Sequence, residues 1–249
     1  MSLLTVRGLS KSFGGVRALS SLGLSVAEGE LVALIGPNGA GKTTCFNLLH
    51  GQLQPDAGEI LFDGRSVAGL APRELLRRGI GRTFQITAVF GSMTVLENVQ
   101  VALLAHERKI LDFIKKTEKF KVKDATDLLA LAGLVALASR PCAELAYGDL
   151  KRVELAIALA SRPRLLLMDE PTAGIAGAER HALMELVAGL ARRSRTAVLF
   201  TEHDMDVVFR HAGRVLVLAE GELIAEGAPE AVRGDARVRR VYLGEGADA

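Results

Sequence analysis

Gly36-Pro-Asn-Gly-Ala-Gly-Lys-Thr-Thr44 follows directly on the apolar run Leu31-Val-Ala-Leu-Ile35. The stretch satisfies the phosphate-binding pattern G-x-x-x-x-G-K-[ST] in the setting that pattern needs, between a strand and a helix. Glycines at 36, 39 and 41 let backbone N–H groups converge on an anion where side chains would crowd it. A helix predicted to begin near Lys42 adds unpaired amides and the positive end of its dipole. Lys42 supplies a point charge for the β- and γ-phosphates. Thr43 offers a hydroxyl to Mg²⁺, an ion that keeps several waters and takes few protein oxygens. The loop therefore predicts a nucleoside-triphosphate site.

The 249-residue chain is 49% hydrophobic and 4% aromatic, enough for a well-buried aliphatic α/β core in one large domain or two small ones. Its formal net charge of +2 gives no nucleic-acid footprint. The longest apolar stretch, around Leu128 to Ala138, is far shorter than the roughly 20 residues that span a bilayer. Met1 to Lys11 lacks a charged-then-apolar secretion pattern, so a soluble chain that stays in the cytosol is expected. Cys45 and Cys142 read as small buried side chains rather than a disulfide.

Outward from the loop, the first thirty-five residues read as short strands joined by turns, and Asp63-Gly64 as another turn. A short helix is expected from Pro72 to Arg78, closed by Gly79. From Thr94 to Ala138 the periodicity is helical, suggesting a separate helical lobe. Within it Arg108 to Lys123 is a basic amphipathic stretch. Such a stretch lies on a membrane surface or, more commonly, is a solvated helix face packed on its apolar side. Strand, helix and strand then return at Leu165 to Met168, Ala178 to Ala191, Ala197 to Thr201 and Val215 to Leu218, as in a parallel sheet with covering helices. Glu220-Gly221 turns a hairpin, and a short helix starts at Pro229.

Further constellations carry chemistry. Leu165-Leu-Leu-Met-Asp-Glu170 is a buried strand ending in two carboxylates at the crevice end of the sheet. Asp169 there suits Mg²⁺, and Glu170 can orient or deprotonate a water for attack on the γ-phosphate. His203, after another apolar strand, can contact the γ-phosphate. Gln85 sits between the loop half and the helical lobe, where its amide can serve Mg²⁺ or the attacking water. Leu145-Ala-Tyr-Gly-Asp149 precedes a helical run, Leu150 to Ala160, in which Leu150, Val153, Ile157 and Ala160 share a face. Its glycine and helix start form an anion site with no phosphate from the same chain to fill it. That implies a second chain.

In this order the segments resemble the ATPase subunit of ABC transporters over essentially the whole chain. The resemblance implies a P-loop NTPase ATP-binding cassette: a RecA-like parallel-sheet core, an N-terminal antiparallel β subdomain and an α-helical subdomain. Residues 1–249 would be one domain, with the helical subdomain at approximately 86–160 and a C-terminal hairpin and short helix at 213–249. Phe13 would stack on adenine, and Gly36, Pro37, Asn38, Gly39, Ala40, Gly41, Lys42, Thr43 and Thr44 would form the Walker A loop. Gln85 would be the Q-loop and Ala146, Tyr147, Gly148 and Asp149 the signature. Asp169 and Glu170 would be the Walker B pair and His203 the switch histidine. ATP and Mg²⁺ are the implied cofactors, and a second ATPase subunit the implied partner.

Arg82-Thr-Phe-Gln85, Met93-Thr-Val-Leu-Glu-Asn98, Leu145-Ala-Tyr-Gly148, Thr201-Glu-His-Asp-Met205 and Val241-Tyr-Leu-Gly-Glu245 look like the branched-chain amino acid importers. That implies membrane permease subunits, a periplasmic or extracellular solute-binding protein acting indirectly, and a peripheral place on the cytoplasmic face of the inner membrane. A lipopolysaccharide-type exporter ATPase shares the ending, but Ala146-Tyr147 and Glu202 to Met205 favour the importer. A soluble ABC protein acting on ribosomes or DNA usually carries two cassettes or long insertions. Three positions depart from the family pattern: Ala146 replaces Ser, Asp149 replaces Gln and Ala176 replaces Asp. Asp149 puts a negative charge where phosphate is expected, and Ala176 alters a loop that helps couple two sites.

Overall fold

The structure is a computed structural model that describes residues 2–83, 89–107 and 121–243. Gln85, residues 108–120 of the basic stretch and residues 244–245 of the C-terminal motif lie outside them.

Strands β1 (Ser2–Phe13) and β2 (Val16–Ala27) form an antiparallel hairpin. They are long, where the sequence reads as several short strands. The reason is bulging: the register shifts between Val6 and Leu9 and again before Lys11, with Gly8 at φ 60, so no single alternation runs through either strand. On the far side of β1 lie β4 (Ala57–Phe62) and β5 (Arg65–Ser66), giving the order β2-β1-β4-β5.

Strand β3 (Leu31–Ile35) leads from this sheet into a second one, with β6 (Ile80–Arg82), β7 (Leu165–Asp169), β8 (Ala197–Thr201), β9 (Arg214–Ala219) and β10 (Glu222–Gly227). Its order is β10-β9-β3-β8-β7-β6, with all neighbours parallel except β10, which turns back from β9 at Glu220-Gly221. Every residue of β3, β7 and β8 is buried, as continuous apolar runs covered on both faces require.

Alternate side chains feed two cores. Val32, Leu34, Leu165, Leu167, Leu199 and Leu216 join the N-terminal sheet and helix α1 (Lys42–Leu49). Leu31, Ala33, Leu166, Met168, Val198 and Phe200 face the opposite way. Their covering helices are α5 (Tyr147–Leu159), α6 (Gly177–Ser194), α7 (Met205–His211) and α8 (Pro229–Gly234). Beyond α8 the chain forms one more helix, α9 (Ala236–Leu243), where the sequence suggests only the first.

Helix α2 (Pro72–Arg78) ends at Gly79, whose φ of 96 closes it. A third core belongs to α3 (Val95–Glu107), α4 (Val122–Leu131) and one face of α5. Thr94 and Glu97 cap α3 reciprocally: Glu97 N–H donates to Thr94 Oγ1 at 3.2 Å and Thr94 N–H to Glu97 Oε2 at 2.7 Å. Leu150, Val153, Ile157 and Ala160 all pack into this core, the face the spacing predicts. The apolar stretch from Leu128 is broken after α4 by a turn at Gly133 and a 3₁₀ turn at Val135–Leu137. Among the described residues no helix is long and apolar enough to cross a membrane. Cys45 and Cys142 are buried free thiols in different cores.

Phe200, fully buried one residue before the end of β8, tests the two-sided packing. Phe200→Ala should lower the unfolding free energy by about 3–5 kcal/mol, seen as a lower midpoint in urea denaturation.

Candidate active site

Three parallel neighbours, β3, β8 and β7, deliver their C-terminal ends to one edge of the sheet, where ligands of open α/β folds bind. From β3 the chain enters the glycine loop and α1. Two glycines there are sterically required. A Cβ on Gly36 would stand 2.1 Å from the Leu218 carbonyl oxygen, and one on Gly41, at φ 103, would stand 2.5 Å from that of Ala18. Lys42 begins α1 and folds back into the loop, donating from Nζ to the Gly36 carbonyl at 2.7 Å and the Pro37 carbonyl at 3.0 Å. Burial pulls its pKa below the ordinary lysine value, against the opposing pull of Glu170 and Asp169.

Asn38, Gly39, Ala40, Gly41, Lys42, Thr43 and Thr44 line a cleft of about 210 Å³ together with Glu170, His203 and Ala18. Gly39 has open space where a side chain would stand, so backbone and cation are presented without obstruction. These features fit a polyphosphate. The hard oxygens of Thr43 in the cleft and of Asp169 beside it suit Mg²⁺.

Asp169 ends β7 with both carboxylate oxygens engaged. Oδ1 accepts from Thr201 Oγ1 at 2.7 Å, and Oδ2 from the Arg82 guanidinium at 3.1 Å. Glu170 follows with φ 48, in the left-handed region. Its N–H is held by the Thr201 carbonyl and hydroxyl oxygens, each at 3.1 Å. The turn aims its side chain into the cleft, where Oε1 lies 2.8 Å from His203 Nε2.

Two residues here escaped the sequence reading as functional candidates. Arg82, buried at the end of β6, also donates to Asn47 Oδ1 at 2.8 Å and Gln52 Oε1 at 2.9 Å, and lies over the Phe46 ring. Thr201 binds Asp169 and Glu170 simultaneously. The available signal was each residue's position at the end of an apolar strand, but not which strands become neighbours.

Phe13 stands at the end of β1, 46% exposed, with Lys11 over its ring and outside the lining of the cleft. Ala146, Tyr147, Gly148 and Asp149 also lie outside that lining. Helix α5 starts at Tyr147, not Leu150, so Gly148 and Asp149 belong to its first turn and Ala146 is a cap without a side-chain bond. Tyr147 lies against Gly174, where an added Cβ would come within 2.9 Å of the ring. Arg152, 3.8 Å from Asp149, offsets the charge that departs from the family pattern. Ala176 caps α6 with no side-chain bond.

A glycine cradle with its lysine, two strand-end carboxylates and a histidine on a parallel sheet define a P-loop nucleoside triphosphatase of the ATP-binding cassette type. Residues 19–173 match the ABC transporter profile, and residues 222–248 that of the branched-chain amino acid ATP-binding cassette transporter. The high-affinity branched-chain amino acid transport ATP-binding protein LivG of Salmonella typhimurium is 40% identical over 98% of both chains. A crystal structure of the ADP conformation of an ATP-binding cassette of an ABC transporter superposes with a TM-score of 0.88 at 33% identity, covering 98% of this chain and 100% of the other. A dimeric cassette in a post-hydrolysis state bound to ADP and Pi gives 0.75 at 28% identity, covering 91% and 98%. The chain belongs to the ABC transporter family, in its branched-chain amino acid ATP-binding branch.

Lys42→Ala should abolish ATP binding, measured with a fluorescent ATP analogue, while leaving the circular-dichroism spectrum unchanged. A pH effect follows from His50, buried at the end of α1. Burial, and then the Arg82 charge, lower its pKa from 6.5 to about 4. The folded chain therefore keeps it neutral where the unfolded chain takes up a proton, so stability falls as pH drops from about 6.5 to 4. His50→Gln should flatten that part of the stability–pH curve.

Proposed function

We propose that this chain is the ATP-hydrolysing subunit of an importer for branched-chain or related amino acids. It would sit peripherally on the cytoplasmic face of the inner membrane, bound to permease subunits that receive solute from a periplasmic or extracellular binding protein. The single observation that carries the catalytic part is the cleft joining Lys42 to the Glu170–His203 pair. The names of the relatives support the solute class.

Lys42 and the loop amides from Gly36 to Thr44 hold the triphosphate, and Phe13 stacks on adenine. Thr43, Asp169 and Gln85 would hold Mg²⁺, which when bound neutralises charge on the phosphate oxygens. Glu170 accepts a proton from the attacking water as its oxygen bonds to the γ-phosphorus. The bond from that phosphorus to the bridging oxygen breaks, releasing ADP and phosphate. His203 holds the Glu170 carboxylate on one side and meets the γ-phosphate on the other.

Ala146, Tyr147, Gly148 and Asp149 complete the cleft of a second ATPase subunit, identical or similar, in a head-to-tail pair. The relative solved as a dimer bound to ADP and Pi supports the pairing. With Ala at 146, contact with the opposing phosphate rests on backbone N–H groups. ATP closes the pair because it binds the closed form better than the open one, and only such a difference shifts the equilibrium. The helices between residues 86 and 160 form the subdomain that passes closure to the permeases.

Glu170→Gln should keep ATP affinity within about 2-fold yet cut hydrolysis by about 10²-fold or more, and should accumulate an ATP-bound dimer in size-exclusion chromatography. Normal turnover would remove Glu170 from the base role.

A further inference from the structure

Glu202, next to His203, is a carboxylate that the catalytic scheme leaves without a task. It is 4% exposed, and among the described residues no lysine or arginine forms an ion pair with it. Burying a carboxylate without a cation is unfavourable unless its oxygens find strong donors. Here they find three. Oε1 accepts from the Thr172 N–H at 2.8 Å and the Thr172 hydroxyl at 2.6 Å, and Oε2 from the His203 N–H at 3.2 Å. Thr172 is itself buried.

The placement of these bonds matters more than their number. Thr172 lies two residues after Glu170, so Glu202 grips the chain just beyond the base. His203 directly follows Glu202, so the other oxygen grips the base's partner. From the near side Thr201 already holds the Glu170 N–H. Glu170 has a left-handed backbone that a residue with a side chain adopts only where its surroundings over-determine it. Thr201 before it and Glu202–Thr172 after it supply that determination. Charge-assisted hydrogen bonds are short and directional, as this task needs.

We propose that Glu202 is a positioning residue for ATP hydrolysis, a buried strut that ties the loop carrying Glu170 to the loop carrying His203 and so sets their 2.8 Å contact. It lies outside the lining of the cleft and acts only through that pair. The inference rests on Glu170 being the base. None of its three bonds reaches residues 36–44, which separates this role from a general structural one.

The test compares full-length wild type, Glu202→Ala, Glu202→Gln, Thr172→Val and Glu170→Gln, each also for nucleotide affinity and thermal midpoint. Glu202→Ala should lower kcat by about 10–100-fold with KM for ATP changed by no more than about 3-fold, since displacing reacting groups by about an ångström carries a cost of that order. Glu202→Gln keeps an acceptor for Thr172 but turns an amide toward the His203 N–H, and should fall between wild type and Glu202→Ala. Thr172→Val keeps the N–H bond and should lose about 3–10-fold. Adding Glu202→Ala to Glu170→Gln should cause no further loss, the non-additivity of residues acting as one unit. If Glu202→Ala does not fold, the Gln and Val variants carry the same comparison. An unchanged kcat in folded Glu202→Gln and Thr172→Val overturns the proposal, as does a loss of nucleotide affinity parallel to the loss of rate or full additivity with Glu170→Gln. Normal turnover of Glu170→Gln alone would instead overturn the base assignment on which the proposal stands.

Discussion

The parallel pairing of β3, β8 and β7 is the constraint from which the site descends. Each strand is buried on both faces, so none can slip by one residue without moving its apolar set to the wrong core. Fixed register then fixes which residues emerge at the common edge: the glycine loop from β3, Asp169 and Glu170 from β7, Thr201 to His203 from β8. The polar network at that edge is short-range. Its atoms lie about 3 Å apart because the strands above them are locked in place.

Within that network the groups divide by role. Lys42 and the loop backbone present positive charge. Glu170 and His203 face the cleft, while Asp169 is held between Thr201 and Arg82. Arg82 gives Asp169 a buried counter-charge and ties it to Asn47 within α1 and Gln52 just beyond it. The edge strand β6 is thus mechanically part of the site, although it contributes no residue to the cleft.

Much of this was legible in the sequence because the informative patterns are contiguous. The loop and the strand-end carboxylates each declare themselves within a few residues. Arg82 and Thr201 did not, since their roles depend on partners about 30 to 90 positions away that only strand order brings near. The start of α5 was misread for a related reason. Gly148 and Asp149 look locally like a break before a helix, but Tyr147 packed on Gly174 carries the helix one turn further, a case of tertiary packing overriding propensity. The bulged strands β1 and β2 hid their length in the same way, because pairing across the hairpin, not periodicity along it, keeps them continuous.

The packing of Tyr147 on Gly174 has one more consequence. Gly174 lies four residues beyond Glu170, and Tyr147 is the first residue of the helix that would face a neighbour's nucleotide. In the proposed pair, a shift in the loop after Glu170 would press, through Gly174, on the Tyr147 end of α5. If two such chains pair head to tail as proposed, this contact would link the two nucleotide sites thermodynamically, each ligand altering the affinity for the other by the same factor.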